Sequence, residues 1–166
     1  MIFHLAEWLE STSIALLVRE SLWGFQIVVG THIIGLTLSV GMIVWFDLRL
    51  LGFALRGSSV ASVYRRIIPW ASAGFVVMFL SGAALLTGYA THAYSNTFFR
   101  IKVVALIAAG LNALFYHRVT ERTIAGWGSA PRPPFPARIA GLLSIAAWTI
   151  VILAGRAMSY TMFSLP

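Results

Sequence analysis

Four histidines, one carboxylate beside an apolar run and no cysteine make up most of the chemistry open to this chain of 166 residues. Without cysteine there is no thiolate for iron–sulfur or zinc ligation, no c-type haem attachment and no disulfide. Phosphate-loop, HExxH and GxSxG patterns are missing, and Asp47 stands alone, so chemistry that needs paired carboxylates has no basis. His32 lies near the middle of the uncharged stretch 22–46, LWGFQIVVGTHIIGLTLSVGMIVWF, and His117 near the end of a later apolar run. An imidazole at bilayer depth is costly unless it has a partner, which makes it a functional lead. Neutral imidazoles facing a bundle interior, small residues beside them and cations at the margin are what a b-type haem requires. On that reading His32 and His117 are axial ligands to the iron, Arg100 and Lys102 meet the propionates, and Asn112 shares the interior stripe of Lys102. The plainer reading has each histidine hydrogen-bonding a neighbouring helix, with Arg100 and Lys102 reaching out to lipid headgroups. His4 and His92 are expected at the outer interface.

The elements that must position these groups are membrane helices. The chain is 59% hydrophobic and 10% charged, far below the roughly 25% charge of soluble domains. Its length suits a single integral membrane domain. We expect an all-α four-helix transmembrane bundle, with crossings at about 22–46, 69–89, 99–119 and 137–158. Residues 2–19 read as one amphipathic interfacial helix, with Ile2, Leu5, Leu9, Thr12 and Leu16 on its apolar face. Thr31, Gly35 and Ser39 recur every four residues, a seam where another helix can come close. Pro69 is expected in the first turn of the second crossing, after a polar connector at 56–66. The segment PRPPFP should be stiff and extended.

Depth tests the shared ligation. Counted from the outer ends, His32 and His117 lie about 18 and 22 Å in; counted from the inner ends, about 22 and 8 Å. The two counts agree only if the first helix runs past Asp47. Arginine and lysine number eight in the connectors 47–66 and 118–138 and four on the other side, which predicts those connectors in the cytoplasm and both termini in the periplasm. The net charge of +7 is better matched to anionic lipid than to nucleic acid, so no nucleic-acid partner is expected.

The segments SLWGF, THIIG, DLRLLG, IIPWASAGF and FFRIKVVALIAAGLNALFYH resemble an uncharacterised family of small four-helix bacterial inner-membrane proteins. That resemblance implies histidines in the first and third crossings, here His32 and His117, and the Arg100/Lys102 pair at the start of the third. It implies the bacterial inner membrane but no activity. A looser likeness to CopD-type and cytochrome b membrane bundles implies haem or metal. The expected function is therefore b-type haem electron transfer between the membrane and a periplasmic or membrane redox partner, with a quinone or a second copy of the chain as further partners. The alternatives are a non-redox anchor or assembly subunit and a small solute or ion transporter.

Overall fold

Small residues decide where the longest helices meet. The computed structural model describes residues 2–130 and 132–161. Among them the first two long helices are α3 (Gly24–Leu51) and α4 (Val60–Gly88). A β-carbon built at Gly35 would lie 2.7 Å from the Met78 nitrogen, and one at Gly74 would lie 2.5 Å from the Ser39 nitrogen. The two backbones therefore touch, as small-residue seams allow in membranes. Ser39 turns its hydroxyl back onto the Gly35 carbonyl at 2.8 Å and is fully buried. The third and fourth long helices are α6 (Thr97–Phe115) and α8 (Phe135–Thr161). All four are long and apolar enough to cross a membrane, and the expected four-span, all-α architecture stands.

The helices form an open row, not a closed square. In the row α4, α3, α8, α6 each helix packs on its neighbour, whereas α4 and α6 scarcely touch. At one end, the short helices α1 (Ile2–Glu10), α2 (Ser13–Glu20) and α5 (Ala90–Ser95) gather against the end of α4. The Glu10 carboxylate there accepts hydrogen bonds from the Thr91 nitrogen (2.8 Å) and hydroxyl (2.7 Å). Asn96 caps α6 and donates to the Thr161 hydroxyl at 3.0 Å, so α8 ends on this same side. At the opposite end Arg49, fully buried, donates to the carbonyls of Ser58 (2.9 Å) and Ala130 (3.2 Å) and ties two connectors together.

Three boundaries differ from expectation, each for a local reason. The N-terminal helix is two helices. Thr12 accepts a hydrogen bond from the Ala15 nitrogen as the cap of α2, which resets the phase. Ala6, Ala15 and Val18 are buried as a result, while Leu5 and Leu16 are exposed. The second crossing begins at Val60, capped by Ser59, with Pro69 inside it. Val60, Val63, Ile67 and Ala71 carry the buried face through that proline, which itself points outward. The third difference is that α3 continues past Asp47 to Leu51 and stops on Gly52, whose φ of 78° suits glycine. Within the segment 131–136, Phe135 and Pro136 already belong to α8, and Pro131 lies outside the described residues.

The seam should tolerate no side chain. We expect Gly74→Val to cost about 1–3 kcal/mol of stability by overpacking. Gly41→Val, where an added β-carbon meets nothing within 4 Å, should stay within about 0.5 kcal/mol. Melting the two variants in one detergent compares them directly.

Candidate functional site

Because α4 and α6 stand apart, a groove opens between them, with α3 and α8 as its back wall. Its volume is about 270 Å³, and all four long helices line it. Ring pairs form the walls: Phe46 meets Tyr64 at 5.5 Å and Tyr116 at 5.4 Å, both edge-on, and Phe75 leans on Trp148 at 5.4 Å. Edge-to-face and tilted aromatic pairs of this spacing are favourable in themselves and hold the rings in place.

The polar floor comes from three helices. Asp47, on α3, is 3% exposed, and Ser144 of α8 lies within hydrogen-bonding reach of its carboxylate. The other carboxylate oxygen, Oδ2, is buried with no hydrogen-bond partner. Asn112 of α6 donates from Nδ2 to the Ala140 carbonyl of α8 at 2.9 Å, which pins one side of the groove. Past Phe115 the helix loosens into a π-type turn, Tyr116–Thr120. Such turns recur at functional sites, and this one places Tyr116 and His117 along the groove.

Approach of α8 to α3 is also set by a glycine. A β-carbon at Gly141 would sit 3.1 Å from the Asp47 carbonyl oxygen. The carboxylate is thus held where two helices are closest, not on a mobile loop.

His32 belongs to a different level of the bundle. Its Nδ1 lies 2.9 Å from the Met78 carbonyl and 3.1 Å from the Ser81 hydroxyl, and its ring rests against Gly82 of α4. The seam therefore does turn it toward protein. Lys102 of α6 is half-buried, with its stem over Gly155 of α8, and its charge acts on His32. Arg100 is exposed and donates to the Tyr94 carbonyl at 3.2 Å. His117 is exposed and follows Tyr116, whose ring contacts Phe46. Phe46 is fourteen residues beyond His32 on one helix, a rise of about 21 Å. The structure thus brings Lys102 toward His32 and sets Asn112 and His117 along one groove but keeps the two histidines far apart in depth. His4 is exposed and lies 3.1 Å from Glu7, and His92 is exposed beside Thr91. No cluster of three metal-ligating side chains occurs among the described residues.

Sequence reasoning placed Asp47 at a helix end and passed over Ser144 and Tyr116 as site residues. The signal that α3 goes on was the run DLRLLG, apolar residues closed by a glycine in the stop position.

Four crossing helices around a laterally open groove make this a multi-pass helical membrane protein. The chain belongs to DUF6644, a family of unknown function, whose sequence pattern it matches over residues 5–161. No curated protein and no solved structure matches it.

The depth of the two histidines is directly measurable. The chain has no native cysteine, so nitroxides at positions 32 and 117 of a double-cysteine variant report one distance. We expect it to centre at about 20 Å or beyond; a value below half of that would place the rings at a common depth.

Proposed function

We propose that this protein binds a bilayer-soluble molecule, admitted sideways between α4 and α6, with its apolar body against the aromatic walls and its polar group on the Asp47 floor. The observation that carries this reading is a groove lined by all four membrane helices, with Asp47, whose Oδ2 is buried without a hydrogen-bond partner, in its wall. Ligand sites between the helices of bundles are commonly apolar cavities with a few convergent polar groups. Loading from the lipid needs no polar path across the membrane, and little in the bundle would form one. We further propose, from the distribution of arginine and lysine, that the Arg49 end faces the cytoplasm and both termini the periplasm.

A second reading, b-type haem electron transfer, rests on His32 alone. A histidine that gives its Nδ1 hydrogen to a backbone carbonyl keeps a lone pair on Nε2, which is how axial and metal-binding imidazoles are commonly oriented. The Met78 carbonyl at 2.9 Å is suited to that role, and Lys102 is the cation nearest at hand for a propionate. His117 does not fit as the second ligand to the same iron, given its depth. A haem held here would supply one-electron transfer, with a membrane or periplasmic redox protein, or a quinone, as partner.

Two measurements separate the readings. Native mass spectrometry of the protein extracted from membranes should reveal a bound lipophile, and Ala113→Trp, which fills the groove, should remove it. Absence of any such molecule in the unmodified protein would count against the groove as a binding site. For the haem reading, purified protein should show Soret and α bands that sharpen with dithionite, and His32→Ala should bleach or shift them. An unchanged spectrum in that variant would remove His32 as a ligand.

A further inference from the structure

We propose that the occupant of the groove is a lipophilic cation, such as a tertiary amine carrying a proton or a quaternary onium ion, and that it pairs with Asp47 in competition with a proton. The inference rests on the groove reading above and names its ligand class.

Charge is the first argument. Buried carboxylates in folded proteins are neutralised by a cation, a metal or a proton. Asp47 is 3% exposed, its Oδ2 has no partner, and no ion pair among the described residues involves it. Arg49, two residues along the same helix, directs its Nε and one terminal nitrogen at the Ser58 and Ala130 carbonyls instead. Ser144 of α8 faces Asp47, and the other polar groups lining the groove are Asn112 of α6, Tyr116 and His117 of the turn after it, and Tyr64 of α4. None of these is a permanent cation. Among the described residues no side-chain cation is paired with the Asp47 carboxylate.

The walls supply the second argument. Aromatic faces attract cations within about 6 Å, most strongly where water is excluded. Phe46, Tyr64, Phe75, Tyr116 and Trp148 line the same groove as Asp47. A carboxylate in the wall of an aromatic-lined groove complements an onium centre with apolar substituents, and it offers a neutral ring compound much less. A proton and such a cation neutralise the same oxygen atoms, so one must leave as the other binds. Binding should therefore weaken as pH falls through the range where Asp47 takes up a proton.

The test uses the full chain in lipid nanodiscs, tetraphenylphosphonium as the cation, and triphenylphosphine oxide and a short-chain benzoquinone as neutral comparisons. Calorimetry in buffers of differing ionisation enthalpy should show proton release on cation binding below that range, with affinity falling up to tenfold per pH unit. Asp47→Asn, close in shape, should weaken the cation roughly a hundredfold or more and leave the neutral compounds within a few-fold. Asp47→Glu should recover part of the cation affinity. Should Asp47→Asn fail to fold, proton release by the unmodified protein decides the matter. If the neutral compounds bind as tightly as the cation, Asp47→Asn changes neither and Ala113→Trp abolishes both, the ligand class and the role of Asp47 are wrong while the groove remains a binding site. If no compound binds and Ala113→Trp alters nothing, both are overturned.

Discussion

The backbone contact between α3 and α4 at Gly35 and Gly74 is the constraint on which the remaining architecture depends. Two membrane helices gain little from hiding apolar side chains, because lipid is as apolar as leucine. What holds them is close packing, and here the approach is limited only by main-chain atoms. That contact fixes the rotation of both helices. It sends His32 toward the Met78 carbonyl and Ser81, and it places Asp47 about four turns further along on the side facing α8 and the groove.

A bundle built from one very close pair has geometric consequences elsewhere. With α3 committed to α4 on one side and α8 on the other, α6 is left to pack chiefly on α8. The row cannot close unless α6 swings toward α4, and the aromatic residues between them act as spacers: Phe75 and Trp148 fill the middle, Phe46 and Tyr116 the lower part. The groove is therefore a product of packing inequality, with tight contact at the glycines and bulk at the rings.

Much of this was legible in the sequence because membrane helices advertise themselves. Four long apolar runs foretold the spans, Gly35 and Ser39 of the expected seam mark the close approach while Thr31 is exposed, and the stripe Lys102, Ala105, Ala109, Asn112, Tyr116 is the face that α6 turns inward. Relative depth was harder to read. Counting residues from charged ends presumes that a charge marks the end of a helix, and Asp47 violates the presumption: it is buried inside α3, four residues short of the end. Pro69 misled in the same way, since a missing N–H on an outward face interrupts the backbone ladder without interrupting the buried stripe. The site itself was least visible. Asp47, Ser144 and Tyr116 come from three separate helices, and only their convergence gives them meaning.

The dependence of α6 on α8 also bears on how the chain is made. Synthesis releases α3 and α4 before α6 and α8, and their glycine contact can form at once in the bilayer. The next span then enters without a settled neighbour, carrying an ammonium and an amide on the surface it later hides. Only when α8 leaves the ribosome does Ala140 offer its carbonyl to Asn112 and the backbone at Gly155 come against the Lys102 stem. Until then Asn112 lacks the partner that α8 supplies, so the packing of α6 is settled only after a later helix is in place.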